Sequence, residues 1–260
     1  NYITGLFNQH ATLFDNDGIT VLLSELYIWD VPSPYIGGTG LLGQFLDYRD
    51  SFNGDLAHLL GYGGSAGFAA GYAGLCASEV DSSMCYSVIY DFYNTVPTYS
   101  WSVLVVTHEE GHLLGSRHTQ ACVWNGNGTA IDGCGTYEGP CSDAPIPANG
   151  GTIMSYCHQN AVGINFANGF GPQPATLMVN NVDAAACVTA CGVAACPIPS
   201  ELFASNVTVE LATLNWTVVS GAFSYTLQWK SSTSGVWTTV SGLTATSYGL
   251  TGLDDNTSYD

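Results

Sequence analysis

The sequence predicts a mixed α/β domain followed by an all-β, sandwich-like segment. Three observations carry that expectation. Helix-like and strand-like runs alternate through the first two thirds of the chain. Around Cys196-Pro197-Ile198-Pro199 the composition changes and cysteine stops. Beyond it, short alternating runs rich in Thr and Ser follow one another at regular intervals, as in an antiparallel sandwich.

Taken in order, Asn1 to His10 places Ile3, Leu6, Phe7 and His10 at helical spacing and reads as the end of an amphipathic helix. Asp15-Asn16-Asp17-Gly18 is a turn. Its carboxylates make calcium conceivable, but the remaining EF-hand ligands are missing and the turn reading is preferred. Ile19 to Trp29 reads as a strand ended by Pro32 and Pro34, Gly40 to Asp50 as a helix, and Asp55 to Leu60 as a short strand. The Gly-rich stretch from Gly61 to Gly74 has two readings of equal standing. One is a surface loop; the other is an edge strand able to pair with an extended peptide. Tyr86 to Tyr93 is a further strand, Trp101 opens a helix, and Thr176 to Thr189 resumes a helical pattern. Leu211 to Val218, Tyr225 to Trp229, Val236 to Val240 and Ser247 to Leu250 read as strands of the C-terminal part.

The helix opened by Trp101 carries the chemistry. Residues His108 to His118 read HExxHxxGxxH. His108 and His112, four residues apart, project from one face and can share a metal. Glu109 is placed to reach a metal-held water without ligating the metal itself. Gly115 lets the chain leave the helix in a left-handed turn, so that His118 returns as third ligand. Three imidazoles and one open position suit a catalytic zinc ion, whereas structural zinc is usually closed by four protein ligands.

Charge narrows the partners. Asp and Glu number 21 against three basic residues, Arg49, Arg117 and Lys230, for a net charge of −18. Phosphate backbones and anionic membranes need the opposite sign, so nucleic acid is excluded as a partner. No apolar run is long enough for a membrane span. Nine cysteines point to an oxidising, extracellular setting. Pairing cannot be deduced from sequence; Cys76–Cys85 and a bridge tying Cys122 to Cys157 are the expected pairs.

Beyond the histidine motif, several stretches resemble metzincin zinc endopeptidases, most closely the reprolysin (adamalysin) group and its bacterial relatives. Asp55-Leu56-Ala57-His58-Leu59-Leu60 resembles the strand before the substrate-binding edge. Gly71-Tyr72-Ala73-Gly74-Leu75-Cys76 resembles that edge strand running into a cysteine, and Cys85-Tyr86-Ser87-Val88-Ile89 resembles the strand before the zinc helix. Ile153-Met154-Ser155-Tyr156 resembles the Met-turn, whose Met154 lies as an apolar floor beneath the ligands. The resemblance implies a metzincin catalytic domain over 1–194 with a mixed, twisted sheet and a zinc helix. It also implies one catalytic Zn²⁺ held by His108, His112 and His118, and a substrate strand over Ala69, Ala70, Gly71, Tyr72 and Ala73. Glu109 would then take a proton from the attacking water and pass it to the leaving amine of a protein or peptide substrate.

The sequence departs from the group at two points. Thr119 follows His118 where reprolysins carry Asp, and Tyr156 stands where astacins and serralysins place a Tyr able to steady an oxyanion. After a linker at 195–200, residues 201–260 resemble part of a fibronectin type III module that would serve attachment or spacing. Trp216 matches its buried tryptophan, and Leu253, Thr257 and Tyr259 match its tyrosine corner. Against full-length relatives of both domains the chain is expected to be truncated at both ends. Two other functions compete with a secreted endopeptidase. One is a catalytically silent adhesion protein on a metzincin scaffold; the other is a zinc hydrolase of non-peptide substrates.

Overall fold

A computed structural model describes residues 2–35, 40–188, 199, 201–219 and 224–260. The chain divides into two compact units, residues 1–190 and 191–260. Apart from Pro199, the expected linker at 195–200 lies outside the described residues.

The first unit contains α1 (Tyr2–Asn16), α2 (Leu41–Tyr48), β1 (Ala57–Tyr62), β2 (Gly67–Ala69), β3 (Met84–Ile89), α3 (Trp101–Leu113) and α4 (Pro172–Ala184). Its sheet is mixed. β3 is central, with β1 parallel on one side and β2 antiparallel on the other. Every residue of β3 is buried, which explains why its side chains do not alternate between apolar and exposed polar; Ser87 is buried with the rest. One amphipathic helix, α1, buries Leu6, His10, Leu13 and Phe14. By contrast α3 is buried nearly all round, so its apolar residues Val103 to Val106 form a run rather than a stripe. Its two hydroxyl side chains bond backbone. Thr107 donates to the Val103 carbonyl at 2.7 Å, and Ser102 accepts from the Tyr90 N–H at 3.0 Å. The core joins Leu6, Leu13 and Phe14 to Val103, Leu104, Ile153, Met154, Phe166, Phe170 and Met178.

Three expectations are corrected here. Residues 19–29 form no strand. Their β-branched composition favours extended backbone, but a strand also needs a ladder partner, and β1 pairs only with β3 among the described residues. Leu22, Leu26, Tyr27 and Ile28 are left exposed. The expected edge strand over 69–73 is shorter and lies earlier, at Gly67–Ala69. The Ala70 N–H still bonds the Met84 carbonyl, but the chain then turns away so that the Gly74 N–H can reach the Leu113 carbonyl at 2.8 Å. Among the described residues the bridges are Cys76–Cys187, Cys122–Cys141 and Cys134–Cys157, and Cys85 is a buried free thiol. Cys85 is fixed inside the central strand, whereas Cys76 lies on the turn that has already left the sheet and meets the segment after α4.

The Asp17 carboxylate of the acidic turn accepts from the Phe170 N–H at 2.9 Å, tying the end of α1 to the approach to α4. No described helix is long and apolar enough to cross a membrane.

The second unit contains β4 (Phe203–Ser205), β5 (Leu211–Asn215), β6 (Tyr225–Trp229), β7 (Thr238–Leu243) and β8 (Ser247–Thr251). They form two antiparallel sheets, β4-β5-β8 and β6-β7. Trp216 is buried, edge-on to Tyr225. The Tyr259 hydroxyl accepts from the Asp254 N–H at 2.9 Å, the backward bond that defines a tyrosine corner.

Candidate metal centre

The centre is built by one helix end and two turns. After Leu113 the Ser116 N–H bonds the Gly111 carbonyl and the Gly115 N–H bonds the His112 carbonyl, a Schellman ending with Gly115 at φ +110°. A Cβ on Gly115 would also fall 2.1 Å from the Asn181 amide nitrogen, so a larger residue there would have to displace that side chain. The chain thereby reverses and returns His118 toward the two helical histidines.

The three imidazoles converge. His118 Nε2 lies 3.0 Å from His112 Nε2 and 3.1 Å from His108 Nε2. The opposite ring nitrogens are occupied by acceptors. His108 Nδ1 donates to the Ile153 carbonyl at 2.8 Å and His112 Nδ1 to the Ser116 carbonyl at 2.8 Å. His118 Nδ1 meets the Glu138 carboxylate. The two carbonyls can accept only from Nδ1–H, so in the neutral rings of His108 and His112 the Nε2 lone pairs turn toward His118 Nε2. Burial, and then the neighbouring imidazoles, push His108 and His112 well below the usual histidine range, His112 to about 3. Three ring nitrogens gathered this closely suit a shared cation. Three nitrogens each about 2.0–2.1 Å from one tetrahedral zinc would lie roughly 3.3 Å apart, close to the spacing found. The residues present fit the metal.

Around them, Met154 is fully buried and packs its sulfur against Gly111, where an added Cβ would come within 2.7 Å of it. Tyr156 is half-buried with its ring 4.5 Å from that of His118. Tyr72, no longer in a strand, sets its ring edge-to-face 5.3 Å from His112 and carries the Arg117 guanidinium 3.6 Å over its own face. Glu109 is 5% exposed, and burial raises its carboxyl to about 8. Of the expected edge only Ala69 lies in β2. A second cluster of metal-ligand type, Asp132 with Cys134 and Cys157, is closed by the disulfide between its two cysteines.

Three features escape the sequence reading. First, Gly67 in β2 abuts Glu109, and a Cβ there would fall 2.3 Å from Glu109 Oε1. The Gly-rich stretch signals close approach, but not which glycine makes it. Second, Glu110 is held from two sides. Its oxygens meet His10 Nε2 at 2.9 Å and His58 Nδ1 at 3.0 Å, while His58 Nε2 reaches Ser87 Oγ at 2.8 Å. Burial opposes the charge of Glu110, but the two histidines outweigh it and hold the carboxyl well below its usual range. Third is Glu138. Its only sequence signal is that Asp132 and Glu138 are the two acids between Cys122 and Cys141.

A buried helix bearing two histidines, joined by a third from the turn beyond it and set beside a mixed sheet, has the make-up of a metal-dependent enzyme of the α/β class. A family model described as Metallo-peptidase family M12 matches residues 1–165, and the chain belongs to that family. Membership makes it a zinc peptidase at the level of the family. A solved FN3 domain of human collagen XX is 30% identical over 24% of this chain and 66% of its own, with a TM-score of 0.22. That likeness is too slight to carry an argument. No curated protein matches the chain.

Proposed function

We propose that the chain is a secreted zinc endopeptidase that cleaves internal bonds of protein substrates, with Glu109 as general base. The observation that carries this is the convergence of three Nε2 atoms beside one buried carboxyl group. His108, His112 and His118 would hold the ion through Nε2. Zinc so held supplies Lewis acidity, lowering the pKa of water and polarising a carbonyl oxygen.

The chain's own groups do the rest. Glu109, raised toward neutrality by burial, accepts the proton of the attacking water and returns it to the leaving amine. Glu110 cannot take this part, because His10 and His58 occupy its oxygens. Tyr156, beside His118, offers its hydroxyl to the carbonyl oxygen as charge develops there. The free edge of β2 suits an extended peptide, paired as one more strand next to Glu109. Met154 supports the ligands from below by its packing on Gly111. The three disulfides among the described residues fit an oxidising, extracellular compartment. The second unit would serve as a fibronectin-like spacer or attachment module.

The test is Glu109→Ala. The variant should retain about one zinc per chain while cleavage of unfolded casein falls by about 10²–10⁴. Undiminished cleavage would remove Glu109 from the mechanism. A wild-type protein that holds zinc yet cleaves no peptide in a broad library would overturn the peptidase reading.

A further inference from the structure

We propose that Glu138 is the positioning residue of the third metal ligand. Its carboxylate, carried on a disulfide-closed loop, would fix the tautomer and direction of His118 and so tighten the site for zinc. The proposal rests on the reading that the triad holds zinc.

The three ligands are not held alike. His108 and His112 stand on or beside α3, and their Nδ1 atoms are taken by backbone carbonyls. Those acceptors come with the fold and no side-chain substitution removes them. His118 lies beyond the helix, in neither helix nor strand, and its Nδ1 meets a side chain twenty residues further on. Without that partner, nothing described at its Nδ1 side decides which nitrogen carries the proton. An Nε2–H tautomer would point a proton where the lone pair is needed.

The loop is built to deliver the carboxylate. Ala121 and Glu138 pair as an isolated parallel bridge. The Cys122 N–H bonds the Glu138 carbonyl at 3.1 Å and the Glu138 N–H bonds the Gln120 carbonyl at 3.2 Å. The Cys122–Cys141 disulfide closes the loop just beyond. Gly139, at φ +130°, allows the close approach, since a Cβ there would lie 2.8 Å from Cys122 Cβ. From the other side, Trp124 Nε1 donates to the His118 carbonyl at 2.8 Å. Backbone and side chain of His118 are therefore both gripped by the segment 122–141. A carboxylate on Nδ1–H also makes the imidazole a stronger donor through Nε2 than a carbonyl does. Loss of such a partner typically weakens metal binding about 10–100-fold.

The experiment compares the full chain with Glu138→Gln and Glu138→Ala. Zinc affinity is measured by competition with a chromophoric chelator, and the His118 tautomer by ¹⁵N NMR of the zinc-free proteins. The expected order of affinity is wild type, then Gln, then Ala, with about a 10–100-fold loss in the last. Gln keeps an oxygen that can accept from Nδ1–H, so it retains the tautomer while losing the charge. Ala should shift His118 toward Nε2–H, a change that simple loosening of the loop would not produce. Equal zinc affinity in all three proteins would overturn the proposal. So would weakened binding in Ala with the His118 tautomer unchanged. A wild-type chain that binds no zinc would instead overturn the reading of the triad on which the proposal stands.

Discussion

Proton positions decide this centre residue by residue. His108 and His112 are directed by the carbonyls of Ile153 and Ser116, and burial keeps them neutral. Burial acts on Glu109 in the opposite sense, because its charged form is the deprotonated one. In the metal-free protein its folded-state value of about 8 lies above the ordinary 4.5. Its contribution to stability is therefore whole below about pH 4.5, shrinks as pH rises, and is gone once pH passes about 8. Chemical denaturation of the zinc-free protein across that range should show a smaller alkaline loss of stability in Glu109→Gln than in wild type. Identical pH slopes would show that Glu109 is not buried as described. Gly67 supplies a second prediction. A Cβ there meets Glu109 Oε1 at 2.3 Å and Val105 Cγ2 at 2.7 Å, so Gly67→Ala must move the carboxylate. Cleavage should fall about 100-fold, the cost of a displacement near 1 Å, with zinc content unchanged. Wild-type turnover in that variant would mean that β2 yields instead.

At the scale of elements, α3 is anchored by what surrounds it. Trp101 Nε1 donates to the Val88 carbonyl at 2.8 Å and ties the start of the helix to β3. Glu110 joins α1 and β1 to its middle through His10 and His58. Its end is capped by Gly115 and by Asn181 of α4, whose amide donates to the Leu114 carbonyl at 2.8 Å. The Cys76–Cys187 bridge fastens the turn after β2 to the segment after α4, across 111 residues. Closing so long a loop restricts the unfolded chain strongly. The double substitution Cys76→Ser with Cys187→Ser should cost about 2–5 kcal/mol, read from the shift in denaturant midpoint at constant slope. A change below about 0.5 kcal/mol would mean that the unfolded chain is already compact there.

For the molecule as a whole, the dominant fact is charge. A net −18 with three basic residues leaves most carboxylates without a cation. Among the described residues the Lys and Arg ion pairs reduce to Lys230 with Asp260 at 3.6 Å. Self-repulsion of that size destabilises the compact state, and salt screens it over about 10 Å at 0.1 M. The thermal midpoint should rise from low salt to roughly 0.5 M sodium chloride, measured calorimetrically. A midpoint that falls with salt would show attraction, not repulsion, to be the controlling term.

The sequence by itself determined what local chemistry can specify. The spacing of His108, His112 and His118, the left-handed Gly115 and the apolar run before them state a helix, its ending and a ligand set within eighteen consecutive residues. The helix at 41–48 and strands β5, β6, β7 and β8 of the second unit were legible for the same reason, since each is a short periodic pattern, whereas the three-residue β4 was not. What had to wait for the tertiary structure are the relations between distant segments. Residues 19–29 have the composition of a strand but not its partner, and β2 ends where Gly74 turns to meet Leu113. The disulfides join cysteines that no spacing pairs, and Glu138 reaches His118 only through a closed loop. Residue spacing fixes the direction of a side chain within one element. Partnership across elements depends on how the whole chain packs, and only the folded molecule decides it.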